Sequence, residues 1–141
     1  ALVGAASIVI VDDALQPQER ALATRLFSTA GHVHYVQNES QLDAVTGLSG
    51  SGPALFAVIA EALADAGVAE GLPRSLALDL ARETMLGTAR LMEHQHPAIL
   101  KENVMSPGGT TAAGILASEK AGLRAACETF VCAATQKSRM L

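Results

Sequence analysis

One run of eight residues, Val104-Met105-Ser106-Pro107-Gly108-Gly109-Thr110-Thr111, holds the densest candidate chemistry in the chain. Two adjacent glycines let a backbone turn tightly and let a ligand approach it closely. They run straight into a helical pattern, and the first N–H groups of a helix have no partner of their own. Ser and Thr hydroxyls flank them. Backbone donors, the positive end of a helix dipole and hydroxyls would converge there on a small anion. No lysine stands where a P-loop would need one, which favours a carboxylate over a polyphosphate. The same spacing also suits an ordinary Gly-Gly turn with a threonine cap, and spacing alone does not separate the two.

Other reactive residue types are scattered. His94 and His96, with Glu93, would stand at i and i+2 on a helix and so would not face one way. His32 and His34 share a strand face but have no third ligand near them in sequence, and no metal is expected. Arg82, Glu83 and Arg90 read as solvated or intersubunit charges. Met85, Met92 and Met105 read as core, although Met105 adjoins the glycine turn. Cys127 and Cys132 are five positions apart, roughly 140° around a helix, so they are expected to be free thiols in a reducing compartment.

The elements that must position the turn can be read from punctuation and periodicity. Ser7–Val11 is a short β-branched run with the look of a fully buried strand, closed by Asp12-Asp13. A helix is expected from Pro17 to about Thr29, with Gly31 after its end. His32–Val36 alternates as a strand does. Two strands around one helix make a βαβ-like piece that needs neighbours to form a stable sheet. Beyond Glu39 the pattern is helical. A short helix is expected over Gln41–Leu48 and a break over Ser49–Pro53, with either serine as a cap. Longer helices follow over Ala54–Ala69 and from Pro73 to about Gln95, the latter with a Leu76/Leu80/Leu86/Leu91 face. A short helix comes after Pro97, another spans Thr110–Lys120, and the last ends near Lys137. The fold expected is mostly α, a helical domain preceded by a βαβ-like piece.

The Ala54–Ala69 helix is apolar nearly all round, interrupted by Glu61 and Asp65. Such a helix must be covered on every side. Its own neighbours could wrap it, but a domain this small offers few fully enclosed positions, so a second subunit is the preferred cover.

Composition bounds the rest. The 141 residues suffice for one domain with a core, and 50% of them are hydrophobic while 3% are aromatic, so Ala, Leu and Val must supply that core. A net charge of -4 with no basic stripe argues against a nucleic-acid surface. No signal peptide is visible, and no apolar run reads as long and charge-free enough to cross a membrane. A chain opening on Ala1 rather than Met is expected of a piece of a longer protein or of a processed product.

Ser106-Pro-Gly-Gly-Thr-Thr111, followed by Glu119-x-x-Gly122-Leu-Arg124, resembles the signature of pyrroline-5-carboxylate reductases. The likeness extends upstream. Leu42–Ala54, Glu61–Val68, Gly71-Leu72-Pro73-Arg74, His96-Pro97 and Leu100–Val104 are similar to family segments in the same order. It covers most of residues 41–138, and Ala1-Leu2-Val3-Gly4 through Val36 looks like the end of the family's nucleotide-binding domain. The resemblance thus implies a boundary: residues 1–38 as the end of a Rossmann-type domain, and 39–141 as a helical dimerisation and substrate-binding domain.

It also implies an activity, the reduction of 1-pyrroline-5-carboxylate to L-proline with NADPH or NADH, the last step of proline biosynthesis. Carried over residue by residue, the resemblance puts the substrate carboxylate on Ser106 and the amides of Gly108, Gly109, Thr110 and Thr111. It gives the Thr111 hydroxyl the ring nitrogen and a catalytic part in its protonation. Asn103 and Val104 would line the nicotinamide. A homodimer or higher assembly in the cytoplasm is implied as well. Some relatives carry a glutamate just before the His-Pro pair, where this chain reads Glu93-His94-Gln95. The family's G-x-G-x-x-G turn is missing from these residues: Gly50-Ser51-Gly52 lacks the third glycine and no strand precedes it. These 141 residues alone are therefore expected to be inactive. An isolated dimerisation module without activity, or the helical domain of a related imine or hydroxyacid dehydrogenase, are the rival readings.

Overall fold

The computed structural model describes residues 6–11 and 15–141. Asp12-Asp13, expected to close the first strand, and the opening residues through Ala5 lie outside the described residues. The chain divides into two compact units: residues 1–53 with 128–141, and residues 54–127.

The first unit opens with the βαβ piece: β1 (Ala6–Val11), α1 (Pro17–Phe27) and β2 (Gly31–Val36). β1 and β2 pair in parallel, with Ala6 opposite Gly31 and Val11 opposite Val36. With one neighbouring strand, Val9 and Ile10 are only partly buried, where the sequence pattern predicts full burial. α1 starts at Pro17, and the Glu19 carboxylate accepts from the Gln16 N–H at 2.8 Å, satisfying a donor the helix leaves unpaired. Tyr35 ties β2 to α1. Its hydroxyl donates to the Arg20 carbonyl at 2.9 Å, lies 2.7 Å from Thr24 Oγ1, and its ring sits 4.3 Å beneath the Arg20 guanidinium. His32 and His34 share the exposed face.

α2 (Ser40–Val45) does not end in a loop. It widens into one π-turn, Thr46–Gly50, where the Ser51 N–H reaches back to the Thr46 carbonyl at 2.8 Å. The chain then runs on as α3 (Gly52–Ala69). The expected break at Ser49–Pro53 is therefore a widened helical turn, and neither serine caps a helix there. Gly47 accounts for the position of this turn. It is buried, and a β-carbon there would meet the backbone N of Thr135 and the carbonyl of Val131, both at 2.9 Å. Those residues belong to α7 (Leu123–Ser138), whose C-terminal part docks on the turn and donates from Ser138 Oγ to Asp43 at 2.7 Å.

The helical run Ser40–Ala69 has a mean hydropathy of 1.5 over its most apolar stretch and is long and apolar enough to cross a membrane by length and composition, a test that the core helix of a soluble protein also passes. That corrects the expectation that no such run exists. Reading a break into it shortened it on paper. Asp43, Glu61 and Asp65 lie along it, and a carboxylate at a bilayer centre costs roughly 2.5–3.5 kcal/mol.

In the second unit α3 closes in a Schellman turn. Gly71, at φ 98°, donates to the Val68 carbonyl at 3.0 Å, and Leu72 donates to that of Gly67 at 3.0 Å. α4 (Arg74–Met92) follows, its start joined to α3 by the Arg74–Asp65 ion pair. The Leu76, Leu80, Leu86 and Leu91 face is exposed in the single chain, and the buried residues of α4 are Ala77 and Ala81. The two helices meet through small residues. A β-carbon on Gly67 would lie 3.2 Å from that of Ala77, tighter than ordinary contact, so a side chain at position 67 would press the helices apart by a few tenths of an ångström. With Ala64, these alanines are the buried hydrophobic residues among those described.

Candidate functional site

α5 (Pro97–Asn103) delivers the chain to the glycine turn, and α6 (Thr110–Lys120) leaves it. α5 begins where the sequence says it should. Pro97 occupies its first position, and His96 Nδ1 accepts from the Ala98 N–H at 3.2 Å. His96 is therefore a helix cap, and among the described residues no three His, Cys, Asp or Glu side chains gather as a metal site would require.

The turn itself is Ser106-Pro107-Gly108-Gly109. Gly109 N–H donates to the Ser106 carbonyl at 3.0 Å, and Gly108 holds φ 70°. Proline second and a left-handed glycine third is the pattern of a type II turn. Gly109 is required for a different reason. A β-carbon there would overlap the Ser106 hydroxyl and sit 3.1 Å from its carbonyl oxygen.

α6 opens directly on Thr110, with Gly109 at the cap and no side chain bonded across the helix start. The threonine cap offered by the sequence is thus not formed. One expected donor is also withdrawn, because the Gly109 amide is consumed inside the turn. The amides of Gly108, Thr110, Thr111 and Ala112 have no hydrogen-bond partner among the described residues. Ala112 was not singled out by its side chain. The signal for it is positional, since the first three helical N–H groups are always left over. Ser106 and Thr110 are exposed, Thr111 is half-buried, and no hydroxyl of the three has a partner among the described residues. Four amides, three hydroxyls and a helix N-terminus therefore lie within six consecutive residues plus Ala112. That set can hold a carboxylate without any charged side chain.

Asn103 and Val104 stand exposed at the C-terminal end of α5, and Asn103 Nδ2 donates to Gln95 Oε1 at 3.3 Å. The downstream half of the signature is architectural. Gly122, at φ 82°, reverses the chain between α6 and α7, and Arg124 Nε donates to Glu119 Oε1 at 2.7 Å across that corner. Cys127 and Cys132 are free thiols along α7.

Comparison with known proteins follows the same lines. A family described as pyrroline-5-carboxylate reductase dimerisation matches residues 39–141. The pyrroline-5-carboxylate reductase of Synechocystis sp. is 48% identical, the alignment covering 100% of this chain and 54% of the relative. That of Arabidopsis thaliana is 46% identical over 97% of this chain and 50% of its own length. Among solved structures, a pyrroline-5-carboxylate reductase from Coxiella burnetii matches with a TM-score of 0.91 at 33% identity, over 98% of this chain and 52% of that one. A Plasmodium falciparum pyrroline carboxylate reductase with NADP bound matches at 0.83 and 32% identity, over 99% and 54%. The chain spans about half the length of the curated relatives it matches. With residues 39–141 matched by the dimerisation family and relatives nearly half identical along the whole sequence, the chain belongs to the pyrroline-5-carboxylate reductase family.

Proposed function

We propose that this chain is the substrate-binding and dimer-forming part of an enzyme that reduces 1-pyrroline-5-carboxylate to L-proline. The observation that carries the reading is the row of unpaired amides at Gly108, Thr110, Thr111 and Ala112 beside the Ser106 hydroxyl. These donors bind the substrate carboxylate, and Gly109, lacking a side chain, leaves room for the Ser106 hydroxyl beside them. Thr111, half-buried and with its hydroxyl unengaged, bonds the ring nitrogen. Reduction breaks the π component of the C=N bond, adds a hydride at carbon and leaves the electron pair on nitrogen, where a proton completes the secondary amine. The site must therefore orient the ring and keep its nitrogen protonated, which is work for hydrogen bonds rather than for a nucleophile.

The residues present fit a nicotinamide. Asn103 offers a carboxamide for the edge of the ring, and Val104, 57% exposed, offers an apolar contact for its face. When bound, the nicotinamide supplies the hydride. NADPH is the cofactor proposed, with NADH as the alternative, in keeping with the NADP in the Plasmodium relative. Residues 1–38 are the end of the nucleotide-binding domain and 39–141 the helical domain, in a cytoplasmic enzyme.

The partner is a second copy of this chain. Phe56, Ile59, Leu63, Met85, Leu86 and Met92 line an open apolar groove of about 510 Å³, which a compact monomer would fill itself. The direct test is the full-length protein. It should convert 1-pyrroline-5-carboxylate to proline with one NADPH oxidised per turnover, and a well-folded dimer without that activity would overturn the proposal.

A further inference from the structure

We infer that Gln95 is a positioning residue for the cofactor, fixing which way the Asn103 carboxamide faces; this rests on the proposed role of Asn103. A free asparagine amide presents its oxygen or its NH2 group with little preference. At position 103 the carboxamide is paired, Nδ2 donating to Gln95 Oε1 at 3.3 Å, and in this pairing the Asn103 oxygen is the unengaged group. Gln95 is suited to the task. It is half-buried between α4 and α5, and its own N–H is bonded to the Leu91 carbonyl at 3.1 Å. The next residue, His96, is fixed by the cap it forms on Ala98. The Gln95 side chain reaches across α5 to its last residue, eight positions along. Asn103 then meets the nicotinamide as an acceptor, complementary to the N–H of the nicotinamide carboxamide.

The orientation has a chemical corollary. Gln95 acts through an oxygen, so a carboxylate of the same length serves equally. Gln95→Glu keeps the acceptor, whereas Gln95→Leu and the longer Gln95→Met remove it.

Calorimetry on the full-length protein, with NADPH and with 2′-phospho-ADP-ribose, separates a nicotinamide effect from a general one. Gln95→Leu and Gln95→Met should bind NADPH about three- to tenfold more weakly, the loss of one oriented hydrogen bond. Their affinity for 2′-phospho-ADP-ribose should not change, and Gln95→Glu should bind both as the parent does. Equal weakening toward both ligands, or a Gln95→Glu protein as impaired as Gln95→Leu, overturns the inference. Asn103→Ala is the control for the reading beneath it. If Asn103→Ala loses NADPH selectively while Gln95→Leu does not, the positioning role alone fails. If Asn103→Ala binds NADPH normally, the cofactor role of Asn103 fails and the positioning role falls with it.

Discussion

The hydroxyl of Ser106 lies over the α-carbon of Gly109, so close that a β-carbon at position 109 would overlap it. The residue proposed to grip the carboxylate is thus held in place by the absence of a side chain three positions on. Gly109→Ala should push the hydroxyl off the turn without left-handed strain, because φ here is an ordinary -77°. It should also lower the melting temperature slightly, because alanine is a poorer helix N-cap than glycine. KM for the substrate should rise about tenfold, the cost of one misplaced charge-assisted hydrogen bond. Steady-state kinetics together with a melting curve check this, and unchanged kinetics would remove Ser106 from the site.

Gly47→Ala tests the other close contact. Its β-carbon would press on Thr135 Oγ1 and on the Thr135 and Val131 backbone of α7. Overpacking of this kind costs about 1–3 kcal/mol, read as a lowered midpoint in urea. Thr135→Ala should restore part of the loss, because it removes the side-chain clash and leaves the two backbone ones.

Self-association should be strong. Phe56 and Val58 on α3 are 58% and 59% exposed in the single chain, an arrangement water does not tolerate along a whole helix. Sedimentation at micromolar concentration should give at least twice the 14.5 kDa chain mass. Ala60→Glu should dissociate or unfold the protein, since an unpaired charge in such an interface costs several kcal/mol. A stable monomer of the parent chain would contradict the dimer.

These 141 residues, expressed alone, should not oxidise NADPH in the presence of 1-pyrroline-5-carboxylate. They hold no glycine-rich strand-to-helix turn for a pyrophosphate, so the nicotinamide has little to anchor it. Turnover by this chain would mean a second nucleotide site.

Much of this was readable in the sequence, and the exceptions share a cause. Pro17, Pro97, Gly71 and Gly122 mark helix ends through their own backbone chemistry, and each end falls where they place it. The π-turn at Thr46–Gly50 was not readable, because Gly47 adopts it against α7, more than eighty positions away. The contact of α4 with α3 was not readable for a similar reason. Periodicity says which face is apolar, but the contact with α3 goes through Gly67 and Ala77, where small size decides. At the glycine turn the residue types pointed to the candidate site. The internal use of the Gly109 amide and the availability of Ala112 depend on geometry alone.

Thr111 and Ser106 should separate in kinetics of the full-length enzyme, although they lie on one turn. The Thr111 hydroxyl is proposed to meet the ring nitrogen, whose charge and protonation change as the hydride arrives. A contact that strengthens toward the transition state is expressed in kcat. Thr111→Ala should therefore lower kcat about ten- to a hundredfold, corresponding to roughly 1–3 kcal/mol, with a smaller change in KM. The carboxylate near Ser106 keeps its charge throughout, so its binding is the same in ground and transition states. Ser106→Ala should raise KM and leave kcat nearly unchanged. Proline should compete with the substrate, and its inhibition constant should weaken in Ser106→Ala by the same factor as KM. If Thr111→Ala retains full kcat, or if both variants alter only the melting temperature, the turn is a structural corner and the catalytic assignment is wrong.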